Sequence, residues 1–302
     1  MILRLENVTK RFGERVAVDG VSFTVPGASI FGLLGPNGAG KTTTIRMIMR
    51  IILPDGGRVL LDGEPVDDER RTAIGYLPEE RGLYRKMKVL DHLVFLGTIR
   101  GVAPAEARRR ALAWLERFGL ADRAQAKVET LSKGMQQKVQ LIGTLLHRPR
   151  LLILDEPFSG LDPLVTREMK ALLRSMREEG ISIVLSTHVL SQVDELCDHI
   201  CLIDRGRTIL GGALDAIRRQ FGGNVWRVRT SVDRGEIAAL PGVRSVTALG
   251  EDLLVELEPD APGGALVAAL VERGEVEAFT RFEPDLENIF IRAVEEERTH
   301  AA

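Results

Sequence analysis

A glycine-rich run near the N-terminus has the residue types and spacing of a phosphate-binding loop. Residues 35–42 fit the pattern G-x-x-x-x-G-K-[ST] in full. Glycines there let the backbone approach an anion, and successive N–H groups with a helix N-terminus then surround the phosphates. Lys41 would add a positive charge at the β- and γ-phosphates, and the Thr42 hydroxyl can ligate Mg²⁺. The residues predicted to bind are Gly35, Pro36, Asn37, Gly38, Ala39, Gly40, Lys41, Thr42 and Thr43.

Two adjacent carboxylates end an apolar run further along the chain. Residues 151–154 predict a buried strand, and Asp155 and Glu156 follow at its carboxyl end, where ligands bind in open α/β sheets. Asp155 would hold Mg²⁺, directly or through water, and Glu156 would polarise an attacking water as a general base. The alternative interpretation is that both acids only cap the segment that follows.

Around these motifs, short apolar runs alternate with amphipathic segments. Strand-like runs occupy residues 29–34, 151–154, 182–185 and 200–203, and helical periodicity occupies residues 41–52, 165–178 and 190–196. Such alternation predicts an α/β fold in which a parallel sheet is covered by helices on both faces. The glycine loop then joins a strand to a helix, and that context disfavours a chance glycine-rich turn.

The other segments of the first 221 residues predict an N-terminal strand region and a helical region. Residues 2–8 and 16–25 read as strands, and residues 88–146 read as almost entirely helical. Within the helical stretch, the basic run 108–110 beside Trp114 is interpreted as the solvated face of a surface helix rather than as a ligand-binding patch.

The pair Gly222-Gly223 predicts a domain boundary, between residues 1–221 and residues 222–302. After it, the order β-α-β-β-α-β is typical of a ferredoxin-like α+β domain. Asp285 would then N-cap a final helix. Nothing in this second domain marks a binding site, so a structural role is preferred over the binding of a regulatory ligand.

The composition narrows the class of protein. The chain has 302 residues, with 41 Lys and Arg against 43 Asp and Glu, and this balance argues against a dedicated nucleic-acid-binding protein. No apolar run reaches the roughly 18 residues of a membrane-spanning helix, and the N-terminus lacks the apolar core of a signal peptide. The two cysteines, Cys197 and Cys201, fit a reducing compartment. They are interpreted as buried structural thiols rather than as metal ligands.

With two further motifs, this order of residues resembles the ATP-binding cassette (ABC) ATPases. The family signature Leu-Ser-Gly-Gly-Gln stands here as Leu-Ser-Lys-Gly-Met at 131–135. It precedes Asp155 in the chain, as the signature precedes the corresponding aspartate in the family. The run Ser-Gly-Leu-Asp at 159–162 resembles the family's D-loop, and Ser-Thr-His at 186–188 resembles the segment of its switch histidine. Phe12 falls where the family stacks an aromatic ring on adenine, although a core phenylalanine is the alternative there.

The resemblance covers roughly residues 2–215. It implies a P-loop NTPase fold with the antiparallel β and helical subdomains of ABC cassettes. It implies ATP and Mg²⁺ as cofactors, with Lys41, Glu156 and His188 as the catalytic residues. The metal-binding residues that it implies are Thr42, Asp155 and Glu79.

The family also implies a partner cassette, because two cassettes meet head to tail. Each ATP lies between the glycine loop of one cassette and the signature of the other, where a helix N-terminus and its N–H groups form a second phosphate site. Ser132, Gly134 and Asp162 are therefore predicted to bind the nucleotide of a partner. That partner would be a second copy of this chain or a close paralogue.

Three positions depart from the family pattern: Met135 replaces the Gln of the signature, and the other two change the local charge. Glu79 stands where the family usually has a Gln that senses Mg²⁺ and touches the membrane partner, and Lys133 replaces a glycine of the signature. Glu79 can serve as an extra Mg²⁺ ligand. Whether the opposite charge of Lys133, near the partner's γ-phosphate, compensates for it is a hypothesis.

The runs 78–84 and 282–290 resemble a bacterial exporter branch that includes sodium-efflux and drug-resistance ATPases. The implied function is ATP hydrolysis that drives efflux of an ion or drug-like substrate through separate integral membrane permease subunits. The chain would be cytoplasmic, held at the inner face of the cell membrane without inserting into it, and would dock through residues 79–87 and the helices after them. The alternative is a soluble cassette that acts on a ribosome or DNA, while the catalytic residues disfavour a non-catalytic binding module.

Overall fold

The computed structural model describes residues 2–80 and 82–300. The chain divides into two compact units, Met1–Ala213 and Leu214–Ala302. The predicted boundary at Gly222-Gly223 lies one helix later than this division. The helix between the two positions contacts the last helix of the second unit, and its apolar residues Leu214 and Ile217 are buried.

The first unit contains ten strands and six α-helices among its described residues. The strands are β1 Leu3–Phe12, β2 Arg15–Val25, β3 Ile30–Leu34, β4 Gly56–Leu61, β5 Glu64–Pro65, β6 Ile74–Leu77, β7 Leu151–Asp155, β8 Ser182–Thr187, β9 His199–Asp204 and β10 Arg207–Ala213. The helices are α1 Lys41–Ile48, α2 Val89–Ile99, α3 Pro104–Arg117, α4 Lys133–Leu145, α5 Pro163–Glu178 and α6 Leu190–Leu196.

A six-stranded sheet with the order β10-β9-β3-β8-β7-β6 forms the centre of this unit. Strands β9, β3, β8, β7 and β6 pair in parallel, and β10 is antiparallel to β9. Every residue of β3, β7 and β8 is buried, as expected for parallel strands that are covered on both faces. The α/β prediction with a parallel sheet is therefore confirmed, and the chain leaves β3, β6, β7 and β8 at the same edge.

An antiparallel sheet with the order β2-β1-β4-β5 packs onto this centre through a shared core. Val8 and Val21 from the antiparallel sheet and Leu33 and Val184 from the central sheet belong to one buried cluster. The hairpin of β1 and β2 brings Phe12 opposite Arg15 at its turn.

Helices α2, α3 and α4 occupy the stretch that is predicted to be helical. On α3, Glu106 forms ion pairs with Arg109 at 2.8 Å and with Arg110 at 2.6 Å. The hydrogen bonds from these two guanidinium groups lower the pKa of Glu106 to about 2. The arginine run is therefore part of a solvated helix face with its own acidic partner, as the sequence predicts.

The second unit contains α7 Leu214–Gly222, β11 Val225–Thr230, α8 Arg234–Ala238, β12 Val243–Leu249, β13 Asp252–Leu257, α9 Gly263–Val271, β14 Val276–Arg281 and α10 Leu286–His300. Its antiparallel sheet has the order β12-β13-β11-β14. Both the element order after α7 and the strand order agree with the predicted ferredoxin-like arrangement. Asp285 accepts a hydrogen bond from the Asn288 N–H at 2.8 Å and so caps α10.

One predicted helix is too long. The interval 41–52 is helical only as far as Ile48, and Arg50 adopts a left-handed backbone with φ of 50°. Ile45 and Ile48 are buried, while Ile51 is 54% exposed. Beyond the helix end, Met49 is still buried and Ile52 is partly buried against the core. Tertiary packing, and not continuation of the helix, therefore buries the last members of the apolar spacing.

Both cysteines are buried and free. Burial raises the pKa of both thiols, that of Cys201 to about 12. This environment agrees with structural thiols. None of the helices in the described part of the chain is long and apolar enough to cross a bilayer.

Candidate functional site

A cavity of about 590 Å³ lies at the edge of the central sheet where β3, β6, β7 and β8 end. It collects side chains and backbone from five separate segments of the chain. Its lining residues are Phe12, Arg15, Ala17, Asn37, Gly38, Gly40, Lys41, Thr42, Thr43, Glu79, Asp155, Glu156 and His188.

The glycine loop between β3 and α1 needs glycine at two positions for steric reasons. Gly35 has φ of 149°, and a Cβ there would lie 2.1 Å from the carbonyl oxygen of Ile203. Gly40 has φ of 110°, and its Cβ would lie 2.7 Å from the carbonyl oxygen of Ala17. Side chains at either position would push the loop away from the strand ends, so the tight loop depends on their absence.

Lys41 begins α1 and is only 6% exposed. Its Nζ donates to the carbonyl oxygens of Gly35, at 2.7 Å, and Pro36, at 3.1 Å, so the ammonium group lies inside the loop. Burial lowers the pKa of Lys41, while the nearby carboxylates oppose that shift. A buried cation in a loop of backbone N–H groups is suited to bind phosphate oxygens.

Asp155 is 1% exposed at the end of β7. Thr42 Oγ1 donates to its Oδ2 at 3.1 Å, whereas its Oδ1 is buried without a hydrogen-bond partner among the described residues. Burial raises the pKa of Asp155. A hydroxyl oxygen and an unpartnered carboxylate oxygen are hard ligands of the kind Mg²⁺ prefers, and Glu79 lines the same cavity.

Glu156 contacts the end of β8. Its Oε1 lies 2.7 Å from Nδ1 of His188, and Thr187 Oγ1 donates to its Oε2 at 3.3 Å. Its backbone has φ of 48°, and its N–H donates to the Ser186 carbonyl oxygen at 3.0 Å. A left-handed backbone at a non-glycine residue is strained. The hydrogen bonds to the neighbouring strand therefore hold this carboxylate in place against that strain.

Phe12 is 51% exposed and lines the cavity, so it is not a core residue. Arg15 and Ala17 line the same cavity, although no sequence motif marks either of them. The pairing of Phe12 with Arg15 across a tight hairpin turn could have indicated Arg15 as a cavity residue. Thr187 was also missed, although it lies in the run of residues that ends in His188.

Six of the predicted site residues do not line this cavity. Gly35, Pro36 and Ala39 belong to the glycine loop without lining the cavity, whereas Ser132, Gly134 and Asp162 lie at the starts of α4 and α5. The Ser132 side chain accepts from the Met135 N–H at 3.3 Å and caps α4, and Asp162 accepts from the Val165 N–H at 2.9 Å and caps α5. Gly134 packs against Val165, where a Cβ would lie 2.9 Å from Cγ1. Within one chain, Ser132, Gly134 and Asp162 are therefore parts of two adjacent helix starts and not of the loop cavity.

Comparison with known families matches both units. Residues 18–159 match the ABC transporter family, and residues 212–294 match the family described as "ATP-binding protein DrrA1-3-like, C-terminal domain". The first match spans the glycine loop and both carboxylates.

Relatives match over nearly the whole chain. The protein named "Uncharacterized ABC transporter ATP-binding protein YhaQ", from Bacillus subtilis, is 41% identical over 97% of this chain and 98% of that protein. The Nod factor export ATP-binding protein I of Ralstonia nicotianae is 35% identical over 96% of this chain and 93% of that protein.

Among solved structures, the ATP-binding cassette MJ0796 superposes with a TM-score of 0.63, at 25% identity over 70% of this chain and 99% of that one. It is described as a dimer in a post-hydrolysis state, bound to ADP and Pi. The identity and coverage of the sequence relatives, together with the loop and carboxylates in one cavity, place this chain in the ABC transporter family as an ATP-binding protein, an ATPase.

Proposed function

We propose that this chain is the ATP-hydrolysing subunit of an exporter, and that the cavity described above is its hydrolytic site. The observation that carries the hydrolytic assignment is the contact between Glu156 and His188 in the same cavity as the glycine loop. The name of the Nod factor export relative supports the exporter assignment.

In this proposal some residues of the cavity bind the nucleotide and others carry out or support proton transfer. The loop N–H groups and Lys41 bind the phosphates, and Phe12 stacks on the base. Glu156 orients the attacking water and accepts its proton, while His188 and Thr187 hold that carboxylate in position. Thr42, Asp155 and Glu79 would hold Mg²⁺, which neutralises charge on the β- and γ-phosphates when it is bound.

The proposal includes a partner cassette, either a second copy of this chain or a close paralogue. Ser132, Gly134 and Asp162 lie outside the chain's own cavity, at the starts of α4 and α5. A facing cassette would bring these N–H-rich helix starts to the nucleotide, as anions favour that end of a helix. The dimeric state described for MJ0796 supports this arrangement.

The proposal also includes integral membrane permease subunits that hold the chain at the inner face of the cell membrane. The test is affinity purification of the tagged full-length chain from solubilised membranes of its own cells. Recovery of an integral membrane protein is the expected result. Recovery of ribosomes or DNA in its place would instead support a cassette that acts on a non-membrane partner.

Replacing Phe12 with Leu should weaken nucleotide binding. Stacking of a base on an aromatic ring contributes about 1–3 kcal/mol, so the KM for ATP should rise roughly 5- to 150-fold while kcat at saturation changes little. Steady-state ATPase assays of both Phe12→Leu and the matched Phe12→Tyr, which keeps the aromatic ring, check this. An unchanged KM in the leucine variant would remove Phe12 from the base site.

Replacing Glu79 with Gln should change the metal dependence of the reaction. One negative charge leaves the neighbourhood of the metal, so the Mg²⁺ concentration for half-maximal ATPase activity should rise by about tenfold. Binding of ATP in EDTA should tighten, because repulsion between Glu79 and the phosphates is lost. The neighbouring exposed Glu80→Gln is the control, and equal metal and EDTA titrations for both variants would contradict a metal role for Glu79.

A further inference from the structure

The cavity of the hydrolytic site contains an arginine to which no motif assigns a role. Arg15 lines the cavity from the start of β2, directly opposite Phe12 in the pairing of β1 with β2. Its guanidinium group makes no hydrogen bond or ion pair with any residue that the structure describes. The side chain is exposed, so a ligand in the cavity can contact it. A guanidinium group has five N–H donors and no acceptor, and it therefore pairs best with an anion.

The other cation beside the Phe12 ring already has an acidic partner. Lys10 Nζ lies 5.7 Å from the centroid of that ring and 2.8 Å from Asp55 Oδ1. The second carboxylate oxygen of Asp55 accepts a hydrogen bond from the Arg11 N–H at 2.7 Å. Asp55 thus neutralises Lys10 and fixes the backbone next to Phe12. Within the described part of the chain, Arg15 is left as the cation of this hairpin that lines the cavity without a carboxylate partner.

The remaining fully charged side chains of the cavity lie around Lys41. Burial lowers the pKa of Lys41, and the charges of Glu156, Asp155 and Glu79 oppose that shift, so all three carboxylates lie near the ammonium group. One end of the described lining therefore carries three negative charges and one positive charge, whereas the end formed by the hairpin carries Arg15. A polyanionic ligand that spans the cavity meets an unpaired cation at the hairpin end.

The order of groups along the cavity indicates which phosphate lies nearest to Arg15. The base would stack on Phe12, and the terminal phosphates would bind in the glycine loop, which encloses the ammonium group of Lys41. In a nucleotide, the α-phosphate is the phosphate closest to the sugar and the base. Because Arg15 lies opposite Phe12 in the hairpin, the α-phosphate is the phosphate nearest to its guanidinium group when the base stacks on that ring.

We propose that Arg15 binds the α-phosphate of the nucleotide and thereby positions it at the end of the cavity where the base stacks. This inference rests on the proposed function and adds a residue that recognises the nucleotide. Since ATP, ADP and AMP share the α-phosphate, Arg15 contributes equally to the binding of all three, and it helps to retain ADP after hydrolysis. Lys41 differs, because AMP lacks the β- and γ-phosphates that a lysine at this place in the loop contacts.

The test measures the dissociation constants of adenosine, AMP, ADP and ATP for the purified full-length chain. Competition with a fluorescent nucleotide in EDTA, which prevents turnover, gives all four values. Arg15→Gln should weaken the binding of AMP, ADP and ATP by one common factor of about tenfold, because a charge-assisted hydrogen bond is lost. Adenosine should bind as it does to the wild type. Arg15→Lys keeps the charge and should lose less affinity than Arg15→Gln.

Three further variants calibrate the ligand series. Arg11→Gln is the matched control, since Arg11 is an exposed arginine of the same hairpin that does not line the cavity, and it should bind all four ligands normally. Phe12→Leu should weaken all four, adenosine included, because the base is common to them. Lys41→Met should weaken ADP and ATP and leave AMP unchanged. Thermal denaturation of each variant without ligand checks that the fold is intact.

The pattern of losses across the four ligands decides the result. An equal loss for adenosine and the nucleotides would place Arg15 at the base or the sugar, and a loss confined to ATP would place it at the γ-phosphate. Either pattern, or unchanged binding of all three nucleotides, would overturn the inference. Failure of the proposed function has a different result, because the wild type itself would then bind ADP and ATP no more tightly than adenosine.

Discussion

The Glu156→Gln variant should bind ATP and almost cease to hydrolyse it. An amide keeps the shape of the carboxylate but cannot accept the proton of water, and loss of a general base typically lowers the rate about 10²- to 10⁴-fold. That factor corresponds to roughly 3–5 kcal/mol of transition-state stabilisation. Since the loop and Lys41 are untouched, ATP affinity should be retained, and a dimer with trapped nucleotide should accumulate.

Phosphate release and size-exclusion chromatography with ATP measure the two effects. Glu178→Gln is the control, because Glu178 is an exposed acid on α5 that lies outside the cavity. It should hydrolyse ATP at the wild-type rate and give no nucleotide-dependent dimer. Unchanged turnover in Glu156→Gln would show that another group is the base.

The Lys41→Met variant should lose nucleotide affinity together with turnover. Each hydrogen bond to a charged group contributes about 1.5–3 kcal/mol, so the loss of one or two phosphate contacts should weaken ATP binding by roughly 10- to 10⁴-fold. The methionine side chain fills a similar volume. The substitution removes a buried ammonium group that, in the wild type without nucleotide, donates hydrogen bonds to two backbone carbonyl oxygens. Thermal stability without nucleotide should therefore not fall.

Fluorescent-nucleotide titration and thermal denaturation with and without ATP check this result. Lys170→Met is a matched control, since Lys170 is another buried lysine, paired with Glu195 at 2.5 Å and distant in sequence from the loop. It should bind ATP normally. Equal ATP-induced stabilisation of Lys41→Met and the wild type would contradict a phosphate-binding role.

Local chemistry made much of the site predictable. The loop at 35–42 and the pair Asp155 and Glu156 are short, contiguous runs whose residue types meet a geometric requirement at fixed spacing. The order of strands and helices around them was equally readable, because buried parallel strands need unbroken apolar runs. The structure accordingly places the loop and both carboxylates at one edge of the sheet.

Features that depend on contacts between distant segments were not predictable. Arg15 lines the cavity because a hairpin places it opposite Phe12, and no motif marks it. The apolar residues of 41–52 keep helical spacing beyond Ile48, where α1 ends. That spacing gives no sign of the left-handed backbone at Arg50. The glycine pair at 222–223 marks a turn, but packing of α7 decides to which unit that helix belongs.

The residue sequence by itself determined which groups can do the chemistry: a phosphate loop, a carboxylate pair and the run of residues that ends in His188. These properties reside in neighbouring residues, so chain order is sufficient to specify them. Tertiary structure alone decided that β8 lies between β3 and β7, which brings His188 to 2.7 Å from Glu156. It also leaves Asp155 Oδ1 buried without a hydrogen-bond partner among the residues that the structure describes. The physical reason is that the order of strands in a sheet depends on how the apolar faces of all the strands and helices are buried together. No single segment of the sequence carries that information.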